Sequence, residues 1–394
     1  HRGTSQGDTR SKSFGCPVTK YIEEAVMAKS SRGIDKGGVA EEALREYFKG
    51  LGSFVLRGIP VKEGTETVTD IDLWVYTRSS PLSRHITIVD IKNKKRGKAF
   101  ERAIWLKGLQ AAIGADDAVV ATQGARNSAF KFANRLQIKV LSSSVFDAIV
   151  KRYSTNGQRL SLEDIDSQWR KVALGTSNLG ALMEDARLEV SKGLNFATLN
   201  HWLDDAVLLL KEARDREQPM TGPITRAFYC CCAFVAIAAD YLGREHVLSE
   251  HDARKEHFRS GMVFGQNDDD AAKRYLDFAE SVATEFVDQS GAAAAQIRSG
   301  FERAASELPV EGLVEFFSRA NAGMELFKAA QALEEAAFDK SCERPSGLKS
   351  LEAKVIVGLL SDYGGVRRSE ILGSSEAQNE QKPDGSAPQG SLPI

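Results

Sequence analysis

The chain has 394 residues, room for two or three domains, with 42% hydrophobic and 27% charged residues and a formal net charge of −2. That balance excludes a polycationic nucleic-acid binder, so any basic surface has to be local. Five cysteines, three of them consecutive (Cys230, Cys231, Cys232), exclude a disulfide framework, because adjacent cysteines bridge poorly. The odd cysteine count, with no secretory signal read at the start, leads to the expectation of a reducing, cytoplasmic location. The longest apolar stretch, Phe228–Ala239, is shorter than the ~20 residues a membrane-spanning helix needs, so no membrane is expected.

Residues 1–17 are polar and rich in Gly, Ser and Thr, and read as a flexible arm. Residues 18–29 suit a short helix. GGVAEEALREYFKGLG, at 37–52, places Val39, Ala43, Leu44, Tyr47 and Phe48 at helical spacing between glycine stops. Phe54–Val61 reads as a strand ending near Pro60. Two β-rich runs, Ile71–Tyr76 and Ile86–Ile91, follow around a turn containing Pro81. Lys98–Ile113 is expected as an amphipathic helix burying Phe100, Ala103, Ile104, Leu106, Leu109 and Ile113. Asp117–Thr122 and Ile138–Leu141 read as short strands, Ser128–Arg135 and Phe146–Tyr153 as helices. One sheet with helices on both faces is the simplest fold for this order.

After about residue 155 the pattern changes. Seven helical segments are expected: Leu179–Lys192, Phe196–Arg216, Thr225–Leu242, Asp269–Asp288, Gly291–Glu307, Val310–Glu335 and Leu348–Ser361, with no strand between Leu160 and Tyr363. The expected organisation is an arm (1–17), an α/β domain (18–155), an all-helical domain (156–367) and a disordered tail (368–394). The cysteine triplet lies in FYCCCAFVAIAA and reads as packing in a buried helix. His246, His251 and His257 lack a zinc-ligand spacing. Trp74 and Trp105 read as core residues.

The chemistry-bearing stretch is TDIDLWVYTRSSPLSRHITIVDIKNKK, 69–95. Asp90 and Lys92 share one face of their strand, and Asp72 lies on the neighbouring one. Half-buried carboxylates beside an ammonium are costly unless a cation compensates, which suits a divalent metal next to a phosphate or an attacking water.

In this ordered pattern the chain resembles the PD-(D/E)xK, or restriction-endonuclease-like, nuclease superfamily over residues 36–145. GGVAEEALREYF resembles its opening helix and implies Glu41 as the metal-facing acid, with Glu42 as fallback. TDIDLW resembles the strand of the first motif carboxylate, implying Asp72, with Asp70 able to substitute. VDIKNKK matches the D-x-K element with Asp90 and Lys92, and Gln110 falls at a position often turned toward the site. No Pro precedes Asp72, a departure from the motif. The resemblance implies an α/β restriction-endonuclease-like domain (a mixed sheet flanked by helices) followed by the helical domain.

The implied activity is Mg²⁺- or Mn²⁺-dependent phosphodiester hydrolysis, by default endonucleolytic and on DNA. Asp72, Asp90, the Ile91 carbonyl and Glu41 would serve the metal, and Lys92 would orient the water and stabilise charge. Lys94, Lys95, Arg96 and Lys98 would meet the nucleic-acid backbone. The helical domain would bind substrate, form a homodimer or sense a partner. Two alternatives stand beside this. One is an inactive scaffold with the nuclease fold. The other is an RNA-directed nuclease, for which Arg254–His257 resembles, at shorter spacing, the Arg-plus-His pair of HEPN-type helical ribonucleases.

Overall fold

The computed structural model describes residues 36–92, 99–122, 127–153, 159–265, 269–287 and 290–373. The expected helix at 18–29, the arm, residues 374–394 of the expected tail, and Lys94, Lys95, Arg96 and Lys98 lie outside the described residues, and the tail's first residues, Arg368–Leu372, form a helix where disorder was expected.

The first half runs α1 (Lys36–Gly50), β1 (Phe54–Glu63), β2 (Glu66–Arg78), β3 (Arg84–Lys92), α2 (Ala99–Ile113), β4 (Asp117–Thr122), α3 (Asn127–Arg135), β5 (Lys139–Leu141) and α4 (Ser143–Tyr153). The strands form one five-stranded sheet in sequence order. β1–β2 and β2–β3 are antiparallel, whereas β3–β4 and β4–β5 are parallel, because a helical crossover separates each of the latter pairs. The mixed sheet is flanked by helices, as expected. β1 continues past Pro60 to Glu63, pairing with β2 through the register shift at Val61/Lys62.

Alternation of apolar residues assigns the two faces of the sheet. Val55, Leu73, Val75, Val89, Ile91 and Ala121 pack with Ala40 and Leu44 of α1 and with Phe146 and Ile149 of α4. Phe54, Leu56, Trp74, Tyr76, Ile86, Ile88, Ala118 and Val120 belong to a larger core, which also takes in Ala103, Leu106 and Leu109 of α2 and runs on into the helical half. The buried side of α2 is narrower than expected: Phe100 is 45% and Ile104 58% exposed. The helix meets the core through Ala103, Leu106 and Leu109 with Trp105 and Ile113 partly buried beside them, and Phe100 rests edge-on against Phe132 of α3.

The second half comprises α5 (Leu162–Trp169), β6 (Ala173–Leu174), β7 (Ser177–Asn178), α6 (Leu179–Ser191), α7 (Phe196–Arg216), α8 (Pro223–Leu242), a 3₁₀ turn (Gly243–His246), α9 (His251–Phe264), α10 (Asp269–Phe286), α11 (Ala292–Glu307), α12 (Glu311–Phe317), α13 (Ala322–Phe338), a 3₁₀ turn (Pro345–Gly347), α14 (Leu351–Tyr363) and α15 (Arg368–Leu372). The β6–β7 hairpin corrects the strand-free expectation; two-residue strands around Gly175, at φ +55°, carry no periodicity to read. The expected helix 310–335 is two helices. Arg254 Nε donates to the Ser318 carbonyl (2.6 Å) at the break, removing that oxygen from a continuous helical ladder.

Helix α8 is the hub of this half. It is apolar on nearly all faces, and Cys230, Cys231 and Cys232 are buried free thiols, as expected. Pro223 opens the helix, where no amide hydrogen is needed. The Glu217 carboxylate accepts from the amides of Gly222 (3.1 Å), Ile224 (2.7 Å) and Thr225 (2.9 Å), capping an end whose own N-cap glycine has no side chain. By length and composition Pro223–His246 passes as a membrane-spanning helix, but 94% of that window is buried, the pattern of a core helix.

Asp240, near the C-terminal end of α8, joins the two halves. It accepts from Tyr76 Oη (2.8 Å), Arg84 Nε (2.8 Å) and Nη2 (2.6 Å), and Arg78 Nε lies 3.4 Å away.

Candidate active site at the strand fork

The β2–β3 ladder ends at the pair Leu73–Val89, while β2 continues along β1 and β3 continues along β4 as far as Lys92–Thr122. The two strands therefore diverge just where Asp72, Asp90 and Lys92 stand. Core positions run Phe54, Leu56, Ile59 on β1 and Tyr76, Trp74, Ile71 on β2, so alternation slips by one residue at the same rung on both strands. That rung carries Gly58, whose φ of +60° only glycine adopts readily, abreast of Asp72. The slip leaves Asp72 at a crease rather than on a flat face. Its Oδ2 accepts the Ile91 amide (2.6 Å), a bond that a β2 carbonyl would have made had the ladder continued.

Lys92 Nζ lies 3.6 Å from Asp72 Oδ2 and 3.6 Å from Asp90 Oδ1. The fork thus brings together all three residues singled out from the hairpin. Asp90 is 4% exposed, and Arg102 of α2 grips it, with Nε donating to Oδ2 at 2.9 Å and Nη2 to Oδ1. The Arg102 guanidinium also lies over the Trp105 ring, 4.2 Å from its centroid. Trp74 is fully core, whereas Trp105 is partly buried at the margin of that core. Ile91 has its side chain in the α1-side cluster and its amide fixed by Asp72.

Burial pushes the Asp72 carboxyl up to about 6; the Ile91 amide and Lys92 pull it down, and the charges of Asp90 and Glu41 push it further up. Glu41 is therefore within electrostatic reach of Asp72, but its Oε2 is bound by Arg57 Nη2 (2.8 Å). Arg57 also donates to Glu42 (3.1 Å) and to Glu163 of α5 (3.1 Å). Glu42, the fallback, shares Arg57 with Glu41 and is also ion-paired to Arg45 and Arg159. Burial raises its pKa, yet Arg45, Arg159 and Arg57 outweigh that and hold it below the ordinary carboxylate value. Asp70 is exposed, paired across from Pro60.

Gln110 is buried, with Nε2 donating to the Asp116 carbonyl (2.8 Å) and Oε1 accepting from Lys107 (3.1 Å). It closes the turn between α2 and β4.

Sequence reasoning missed Arg57 and Arg102. Arg57 did leave a signal: it is the one charge in the strand run FVLRGIPV, and a buried guanidinium requires carboxylate partners. Arg102 left none, because a helical Arg next to Glu101 reads as surface.

Chemically, the fork offers hard oxygen donors from Asp72 and Asp90 and an ammonium within a few ångströms of both. Asp72 accepts one backbone amide and has its nearest ammonium 3.6 Å away, so its buried charge has few protein partners. That donor set fits Mg²⁺, which needs only one or two carboxylates and keeps several waters. The weakly matched Arg254–His257 pair sits elsewhere. His257 is 5% exposed and packed against Phe196 and His246, which does not suit attack on a bulky polymer. Comparison with known proteins identifies no family model, curated protein or solved structure that matches this chain.

Proposed function

We propose that the fork is the active centre of a Mg²⁺- or Mn²⁺-dependent nuclease of the PD-(D/E)xK type, acting by default on DNA. The observation that carries the reading is Lys92 Nζ standing 3.6 Å from both Asp72 Oδ2 and Asp90 Oδ1, where two strands part. Asp72 and Asp90 would hold the ion, with the Ile91 carbonyl beside them and Glu41 contributing through water. The bound ion would neutralise charge on the phosphoryl oxygens and acidify a water. Lys92 would orient that water and stabilise the developing charge, a role for which a single donor is worth about 3–4 kcal/mol. Arg102 balances Asp90 in the cation-free protein and has to share or release it when the ion binds. The helical half is assigned the accessory role of substrate binding, homodimer formation or sensing.

The Arg102–Asp90 and Arg57–Glu41 pairs favour one second reading, a scaffold whose acids are permanently neutralised by arginine. Incubation of the intact chain with labelled single-stranded, duplex and branched DNA and RNA, with Mn²⁺ or with EDTA, separates the two. The nuclease reading expects cleavage that needs the cation and is lost in Asp90→Ala. Cleavage that persists in EDTA or in Asp90→Ala, or an intact substrate panel, would sink it.

A further inference from the structure

Another group of buried charges lies in the seam between the two halves and does not depend on the nuclease reading. Residues of α1, β1, α5, α6, α8 and α13 close around a cavity of about 30 Å³. Its walls are largely apolar, with Leu56, Trp169 and Phe234 among them, yet four arginines line it: Arg45, Arg57, Arg159 and Arg187. Two carboxylates, Glu42 and Glu334, share the lining.

Those two acids are already held. Glu42 is ion-paired to Arg45 (2.7 Å), Arg159 (3.0 Å) and Arg57 (3.1 Å), and Glu334 to Arg159. The arginines are not fully matched in return. Arg57 is 5% and Arg187 8% exposed, and Arg57 Nε, Arg187 Nε and Arg187 Nη1 are shielded from solvent with no hydrogen-bond partner among the described residues. Arg187 gives Nη2 to Asp166 (3.2 Å), which lies outside the lining, so the cavity is where its other two nitrogens can meet an acceptor. Buried polar atoms ordinarily find a partner.

Every group left over is a donor, because a guanidinium has no lone pair with which to accept. A water would satisfy some of them but would bring two hydrogens of its own to a wall whose carboxylates are engaged. An anion brings acceptors alone, and bonds from charged donors are the strong ones. The volume limits its size. One water needs roughly 10–15 Å³, so this cavity suits an ion little larger than a water and not a nucleotide.

We propose that the seam binds one small monovalent anion, of which chloride is the type, between Arg57 of β1 and Arg187 of α6. The ion accepts N–H groups from both halves at once and so fastens the sheet to the helices.

The test follows the melting temperature of the full chain in sodium chloride and in sodium gluconate at equal ionic strength, which holds screening constant. Expected is a rise that saturates with chloride or bromide and is missing in gluconate. Crystals grown in sodium bromide should show one anomalous scatterer between Arg57 and Arg187, a readout that needs no variant. Arg187→Lys keeps a cation for Asp166 but deletes the two spare donors, and should weaken chloride by about tenfold or more. Equal melting in chloride and gluconate, a cavity holding water and no scatterer, or undiminished chloride affinity in folded Arg187→Lys would overturn the proposal.

Discussion

The β2–β3 hairpin carries buried charge at both ends, and the two ends treat it in opposite ways. At the turn end the carboxylate belongs to Asp240, reached from α8, and tyrosine and arginine donors surround it: Tyr76, Arg84 twice, and Arg78 at longer range. Burial pushes its pKa up, and the Arg84 and Tyr76 hydrogen bonds and the Arg78 charge pull it back toward normal. At the fork end Asp72 accepts the Ile91 amide, and its nearest cation stands 3.6 Å off. A carboxylate saturated by the protein is a fastener. One held in place but incompletely matched is a place for something else to bind. The same hairpin supplies both, because its ladder is intact at the turn and has opened at the fork.

The largest expected effect tests the fastener. Asp240→Ala strands Arg84 and Arg78 in an apolar interface and should cost about 3–5 kcal/mol of stability in urea unfolding. Cleavage per folded molecule should be unchanged, which sets this end apart from the other. The fork reverses that pattern. Lys92→Ala removes a side chain 40% exposed and should leave the urea midpoint nearly unchanged. Single-turnover cleavage should fall about 10²–10³-fold.

Asp72→Asn sharpens the contrast further, because here removing a charge should stabilise. The folded-state pKa of Asp72, about 6, lies above the ordinary aspartate value of 3.8, so ionisation disfavours the folded state. That penalty is absent below about pH 4, grows through the interval to pH 6 and is complete above it, on the order of 1–3 kcal/mol. Asn keeps an acceptor for the Ile91 amide. In EDTA the variant should therefore melt above wild type at pH 8 and level with it at pH 3.5; an equal or lower melting point at pH 8 would contradict the incompletely matched charge. The smallest effect returns to the turn end. A Cβ added at Gly323 would come within 2.6 Å of Asp240 Oδ1, so Gly323→Ala should cost about 1–3 kcal/mol while leaving cleavage intact.

Much of this was legible in the sequence, and the residues say why. Alternation located the strands, though β1 and β2 run on past their expected ends, and helical spacing located α1; Phe196–Arg216 has the bounds expected of it. Asp72, Asp90 and Lys92 were recoverable because strand periodicity and a short hairpin determine which side chains meet. Helix α9 was missed since HDARKEHFRS shows mostly charge; its buried residues include His257, Phe258, Gly261 and Met262, too small or polar a set to mark a core face. The partners of the site were hidden for a different reason. Arg57, Arg102 and Asp240 act across sequence separations that no local pattern encodes, and Ile104 looked buried only because its helix was assumed to have a broad apolar face.

The most direct measurement is the melting temperature at pH 8 as Mg²⁺ is added, for wild type and for Asp72→Asn/Asp90→Asn side by side. A fork that binds a divalent cation predicts a rise that saturates in wild type and is missing from the double variant. Parallel curves for the two proteins, or no response from wild type, would contradict it.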